Sequence, residues 1–286
     1  ETLDYLLPEL QPARAIPITG IDSDSRRLPE GGLFVALDTR HGPTAHFLPD
    51  AWQAGAAAAI VEAEHEGFTD TEAGPLWSRP DARALLGLAL RRHYCWDADA
   101  TPRLIGVTGT NGKSSVTRLI AQLAPAPAQI IGTLGYGPVD ALQALPNTTP
   151  EAVELWRLLV AARAAGAQTV SMEVSSHALA LGRVAAVPFH IAVFTNLTQD
   201  HLDFHGDMAS YGAAKARLFQ TPELQYAVLN ADDPFTAQLR QSIAAQVEVL
   251  DYGFDAAAIK VRDYHPGASG TLLELDTPWG RRRLRS

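Results

Sequence analysis

Residues 106–115, GVTGTNGKSS, hold the densest chemistry in the chain: three glycines, a lysine and two serines between two apolar runs. Glycines let backbone amides turn toward an anion, and the N-terminus of a following helix adds positive potential. Lys113 can then reach terminal phosphates, and the Ser114 hydroxyl is placed to ligate Mg²⁺. The match to G-x-x-x-x-G-K-[ST] lacks its first glycine, because Val107 stands there, leaving the shorter G-T-N-G-K-S of 109–114. The competing reading, a glycine-rich strand–helix turn, has no need of the lysine and serine. The pattern points to a nucleoside triphosphate and says nothing yet of the reaction.

Two further stretches could work beside such a loop. SMEVSSHALALGRV (171–184) puts Glu173 near the end of a buried strand, where a carboxylate needs a cation or hydrogen-bond donors to stay ionised. A magnesium ion shared with Ser114 and phosphate oxygens would supply that; a capping cluster around Ser175 and Ser176 is the alternative. TNLTQDHLDFHGD (195–207) packs Asp200, His201, Asp203, His205 and Asp207 together, either as metal ligands or as a polar loop with capping aspartates. No Cys/His spacing suits structural zinc. A phosphate loop with two acidic strand ends suggests metal-assisted phosphoryl transfer. A third feature is compositional. Only three of the 23 basic residues are lysines, namely Lys113, Lys215 and Lys260, and Lys215 sits in the alanine-rich run YGAAKARLF (211–219). A solvated helix face is its plainest reading.

These residues need elements to hold them. After a short polar linker, DADATP (97–102), strands alternate with helices: strands at 103–109, 129–135, 168–174, 189–196 and 225–231, helices at 115–123, 150–166 and 211–219. Such alternation predicts a mostly parallel sheet covered by helices, with ligands at the carboxyl ends of its strands. The tail, AIKVRDY, TLLELDTPWG and RRRLRS, reads as short strands joined by turns. Ahead of the linker, LFVAL (33–37) and AAAAIVE (56–62) read as strands, 47–55 as a helix, and 79–96 as a helix with Ser78 as N-cap. The expected class is α/β: a small N-terminal α/β domain, residues 1–98, then a phosphate-loop central domain, 99–286, with a terminal antiparallel β section.

Composition fits this reading. Two domains suit 286 residues, and 47% hydrophobic with 19% charged residues is ordinary for a globular protein. A net charge of −9 argues against general nucleic-acid or anionic-membrane binding. Cys95 is the lone cysteine, which fits a reducing compartment, and a cytoplasmic location is expected. No apolar run approaches a membrane span and no basic-then-apolar leader opens the chain, whose start at Glu1 reads as trimmed.

The motifs taken together resemble the Mur ligases, the ATP-dependent amide-forming enzymes of bacterial peptidoglycan synthesis. The matching stretches are DSRRLPEGGLFVAL (24–37), GVTGTNGKSS, GTLG (132–135), NTTP (147–150), MEVSSHALALGRV (172–184), FTNLTQDHLDFHGDMASYGAAKARLF (194–219) and VLNADD (228–233). Within the family the chain is most similar to the ligases that add the third residue, a diamino acid, to UDP-N-acetylmuramoyl-L-alanyl-D-glutamate. The resemblance implies that Ser25 lies near the uridine end of that substrate. It implies that Asn147, Thr148, Thr149, Ser175 and Arg183 bind its sugar–peptide part. ATP would be held by Gly109, Thr110, Asn111, Gly112, Lys113, Ser114 and Ser115, with Asn230 approaching the adenosine. Ser114 and Glu173 would ligate one Mg²⁺ and His201 a second. Lys215 matches a lysine that carries a carbamate, an anion able to face metal where an ammonium is repelled. The implied catalytic set is Lys113, Glu173, His201 and Lys215, working through an acyl phosphate in a monomer.

The chain departs from the family pattern twice. Pro43-Thr44 in TRHGPTAHF (39–47) replaces the usual Asp-Gly pair near the uridine site. Relatives also continue past a point like residue 286 into a third domain that selects the incoming amino acid. The expectation is therefore a fragment that does not complete ligation. A non-catalytic module that captures the UDP-precursor and ATP, or a generic phosphate-loop ATPase or kinase, are the alternatives.

Overall fold

The structure is a computed structural model that describes residues 1–39, 42–97, 101–255, 257–268 and 270–285. Its contacts divide the chain into two compact units. The first comprises Glu1–Ala100, Pro150–Ala161 and Leu181–Val187; the second comprises Thr101–Thr149, Ala162–Ala180 and Pro188–Ser286. The boundary expected between 98 and 99 lies outside the described residues.

The first unit is built on five strands: β1 (Ile21–Asp22), β2 (Leu33–Ala36), β3 (Ala58–Glu62), β4 (Gly67–Thr71) and β5 (Gly74–Arg79), in the order β1-β2-β3-β5-β4. All neighbours are parallel except β4 on β5. β2 is buried at every position, as expected for a run of apolar residues covered on both faces. Phe34, Ala36, Ala59 and Val61 pack on Leu28 and Ala51. The helix Ala82–His93 buries Leu85, Leu86, Ala89 and Leu90 on one stripe and ends in Arg91, Arg92 and His93, which complement its C-terminal dipole.

Here the structure corrects one expectation. Ser78 does not cap this helix; it lies inside β5, opposite Gly67, and Asp81 stands at the cap position, its carboxylate held by Arg79 at 2.8 Å. The β4–β5 hairpin leaves no pattern in the sequence, because β4 is exposed along most of its length and lacks alternating apolar residues.

The start of the helix Ala152–Ala164 belongs to the first unit for identifiable reasons. Fully buried Trp156 stacks on Tyr94 at 6.5 Å and meets Trp96 edge-on at 5.7 Å. Arg157 donates to buried Asp22 at 2.8 Å, and Arg27 reaches Glu154 at 3.1 Å.

The second unit carries ten strands: β6 (Arg103–Thr108), β7 (Ala128–Gly132), β8 (Gly135–Pro138), β9 (Thr169–Glu173), β10 (Ile191–Phe194), β11 (Tyr226–Asn230), β12 (Glu248–Gly253), β13 (Ile259–Gly267), β14 (Gly270–Asp276) and β15 (Arg282–Arg285). Their order is β15-β14-β13-β12-β11-β10-β6-β9-β7-β8. The run from β7 to β13 is parallel, whereas β8, β14 and β15 pair antiparallel to their neighbours. The mostly parallel sheet with a terminal antiparallel section is as expected. The single strand expected at 129–135 is instead two, reversing at Thr133-Leu134. The helix Phe235–Gln241 and β12 were not anticipated. β6 is central and buried at five of its six positions, so its carboxyl end opens between those of β9 and β10. No helix among the described residues is long and apolar enough to cross a membrane.

Candidate functional site

The loop after β6 turns into the helix Lys113–Leu123, as the glycine–lysine–serine pattern requires. Gly109 has φ 147°, and a Cβ there would fall 1.9 Å from Thr195 Oγ1, so no other residue fits without rearrangement. The loop is clamped by residues that follow β10. Thr195 Oγ1 donates to the Asn111 carbonyl at 2.6 Å, and Asn196 Oδ1 accepts from the Asn111 amide at 3.0 Å. The Thr110 amide donates to the Asn196 carbonyl at 2.8 Å. Asn230, at the end of β11, donates to the Thr195 carbonyl at 2.8 Å and so buttresses this clamp. Thr195 and Asn196 are not among the expected site residues; the signal that marks them is polar residues directly after a buried strand at its carboxyl end.

Glu173 ends β9, 2% exposed. Its carboxylate accepts from Ser114 Oγ at 2.9 Å, from the Thr133 amide at 2.7 Å and from Thr133 Oγ1 at 3.3 Å. A Cβ on Gly132 would lie 2.3 Å from Glu173 Oε1, so glycine is what admits the carboxylate. One buried carboxylate among hydroxyl oxygens is a donor set that fits Mg²⁺, which binds few protein ligands and completes its shell with water and phosphate. No group of three or more His, Cys, Asp or Glu among the described residues is arranged for a metal.

The same residue joins the expected substrate residues, Thr149 through its backbone carbonyl and Thr148 by way of Thr133. Thr149 Oγ1 donates to the Glu173 carbonyl at 2.9 Å and accepts from the Ser175 amide at 3.1 Å. The Thr148 and Thr133 hydroxyls lie 3.0 Å apart. Asn147 is exposed. Thus Ser114, Glu173, Thr148, Thr149 and Ser175 form one network in the second unit.

The two lysines of the site both turn onto the loop, Lys215 buried and Lys113 half-buried. Lys113 Nζ curls back to the carbonyls of Gly109 and Thr110, at 3.0 and 2.9 Å. Burial lowers its pKa, opposed by the charges of Glu173 and Asp200. Lys215 is not on a solvated face: it is 1% exposed and donates to the Gly109 carbonyl at 2.8 Å. Burial, reinforced by the charge of Lys113, pulls its pKa from 10.5 to about 7, so its neutral amine is accessible near neutrality. Its Nζ sits 4.4 Å from the centre of the Tyr211 ring.

His201 adopts φ 52° at the start of the helix Leu202–His205 and is half-exposed, 3.6 Å from Asp200. Its ring meets those of His177 at 4.8 Å and Tyr211 at 6.2 Å, so Tyr211 borders both His201 and Lys215. His205 Nε2 pairs with Ser176 Oγ at 3.0 Å, and burial holds its pKa down. Ser115 is exposed on the phosphate-loop helix.

Ser25 and Arg183 belong to the first unit. Ser25 is buried beside a cavity of about 350 Å³ that Thr44, Phe47 and Asp50 also line. Arg183 pairs with Glu151 at 2.6 Å and lines a cavity of about 540 Å³. Ser23 and Thr44 line both cavities. Thr44, half of the Pro43-Thr44 departure, donates through Oγ1 to the Leu37 carbonyl at 2.9 Å. Of the loop 39–47, Arg40 and His41 lie outside the described residues.

A buried central strand, a glycine-rich loop with lysine and serine, and a carboxylate ending the adjacent strand define a phosphate-loop α/β domain. Comparison narrows this class. Residues 107–286 match the Mur ligase middle domain. The UDP-N-acetylmuramoyl-L-alanyl-D-glutamate--2,6-diaminopimelate ligase of Alkalilimnicola ehrlichii is 43% identical over 278 residues, covering 92% of this chain and 56% of that protein. The protein of the same name from Pseudomonas aeruginosa is 40% identical over 291 residues, covering 100% of this chain and 59% of its own length. A solved structure of a ligase so named superposes with TM-score 0.82 at 34% identity, covering 94% of this chain and 56% of that one. The chain belongs to the Mur ligase family, and it spans a little over half the length of the relatives it matches.

Proposed function

We propose that the chain is the substrate- and ATP-binding part of a ligase that adds a diamino acid to UDP-N-acetylmuramoyl-L-alanyl-D-glutamate. The observation that carries this reading is the path Ser114–Glu173–Thr149–Ser175. It sets groups suited to the terminal phosphate of ATP one residue from groups suited to an acceptor carboxylate. The names of the relatives support 2,6-diaminopimelate as the diamino acid.

In this reading Gly109 to Ser115 cradle the triphosphate, with the Thr195 and Asn196 clamp holding the loop in shape. Lys113 exchanges its carbonyl partners for phosphate oxygens. The γ-phosphoryl group leaves ADP and bonds to an oxygen of the free glutamyl carboxylate, giving an acyl phosphate. The amine of the diamino acid then attacks the carbonyl carbon, and phosphate departs with the former carboxylate oxygen. Thr148, Thr149, Ser175 and, in the first unit, Ser25 and Arg183 bind and orient the precursor. Ser114, Glu173, His201 and Lys215 would hold two Mg²⁺ ions, whose charge offsets that building on the transferring phosphoryl group. Lys215 takes part as a carbamate: its neutral amine bonds to CO₂ and loses a proton. A lowered pKa and a site beside the loop support that adduct. The protein works as a monomer in the cytoplasm, consistent with its lone cysteine and its ATP dependence.

Calorimetric titration with UDP-N-acetylmuramoyl-L-alanyl-D-glutamate tests the reading. Binding, together with diamino-acid-dependent ADP release by the complete protein, is the expected result. ATP binding without precursor binding would replace it with a generic phosphate-loop ATPase or kinase.

A further inference from the structure

The cavity of about 540 Å³ in the first unit has walls from distant parts of the chain: Leu37–Thr39 after β2 on one side, Leu181 and Arg183 on another. One side chain touches both. Arg83, on the helix Ala82–His93, donates through Nη2 to the Asp38 carbonyl and through Nη1 to the Leu181 carbonyl at 2.9 Å. Its Nε and Nη2 also form a two-pronged pair with the Glu62 carboxylate, both at 2.8 Å. Glu62 Oε2 in turn accepts from the Asp38 amide at 2.8 Å. The Asp38 residue is therefore gripped at both ends by one ion pair, its N–H by Glu62 and its C=O by Arg83. Arg83 itself lines the cavity.

We propose that Arg83 is a positioning residue for the UDP-precursor, fixing the spacing between the 37–39 loop and the 181–183 segment so that Thr44 and Arg183 converge on an anionic ligand. The inference rests on the proposed function and adds a residue to it. A planar guanidinium reaches a carboxylate and two carbonyls in different directions at once, whereas a lysine ammonium is a single point of charge. Arg83 acts on the two backbone walls through their carbonyls, so its loss would change the cavity while leaving the phosphate loop, in the other unit, as it is.

The test is steady-state kinetics of the complete protein carrying Arg83→Lys, Arg83→Gln or Glu62→Gln, with the UDP-precursor and ATP varied separately. The expected result is a KM for the precursor raised about 10- to 100-fold in Arg83→Gln, the worth of hydrogen bonds to a charged group, with kcat and the KM for ATP unchanged. Arg83→Lys restores part of the loss, and Glu62→Gln falls between wild type and Arg83→Gln. An unchanged precursor KM overturns the inference, as does a joint fall of kcat and both affinities with the melting temperature. If Arg83→Gln does not fold, Arg83→Lys and Glu62→Gln decide by the same criteria. Wild-type protein that fails to bind the precursor overturns the parent reading and this inference with it. Wild-type binding matched by Arg83→Lys and Arg83→Gln overturns the inference alone.

Discussion

The Gly109 carbonyl accepts from two lysines, Lys113 Nζ at 3.0 Å and Lys215 Nζ at 2.8 Å, the second arriving from 106 residues downstream. Two ammonium groups on one acceptor, one buried and one half-buried, are a costly arrangement in the absence of an anion. It accounts for the fall of the Lys215 pKa to about 7, through burial first and the Lys113 charge second.

Stability should report that cost. Between about 7 and 10.5 the unfolded chain holds a proton that folded Lys215 has released, so stability rises with pH through this window; below it the full cost applies. In metal-free, bicarbonate-free protein, raising the pH from about 6.5 to about 9.5 is expected to stabilise wild type relative to Lys215→Met by about 2–3 kcal/mol. Urea denaturation at both pH values checks this, and a difference independent of pH would contradict it.

Gly109→Ala should collapse the loop. The new Cβ collides with Thr195 Oγ1 at a φ that side chains avoid. A loss of about 1–3 kcal/mol in stability is expected, with nucleotide binding weakened at least tenfold. Thermal denaturation and titration with ADP measure the two effects.

Glu173→Gln retains the shape of the site and an acceptor for the Thr133 amide, but removes the buried charge facing Ser114. Nucleotide binding should then need about 10- to 100-fold more Mg²⁺, in line with losses seen when groups around a metal are altered. Titrating nucleotide affinity against Mg²⁺ gives the answer; an unshifted requirement would remove Glu173 from the metal site.

Arg157→Leu should weaken the first unit. It strips the 2.8 Å partner from Asp22, a carboxylate whose pKa burial already raises, while two backbone amides still serve it. A cost of about 1–3 kcal/mol is expected from the unfolding midpoint, with nucleotide affinity of folded protein unchanged.

The phosphate loop was legible because its chemistry is local: glycines, lysine and serine lie within ten residues between a strand and a helix. The parallel sheet was legible for a similar reason, since apolar runs alternate with amphipathic ones. The β4–β5 hairpin was not, because an exposed strand carries no apolar pattern, and without it Ser78 resembles a cap.

The larger divide concerns partners. Sequence alone marked Lys215 and Glu173 as residues of interest, and motif resemblance added Thr149 and supplied roles for all three. Only the tertiary structure buried Lys215 on the Gly109 carbonyl, closed Ser114, Glu173 and Thr149 into one network, and gave Asp38 to Arg83 and Glu62. Each of these contacts joins strand ends or helices distant in the chain. Residue types set what a group can bond, but strand order in the sheet decides which groups meet.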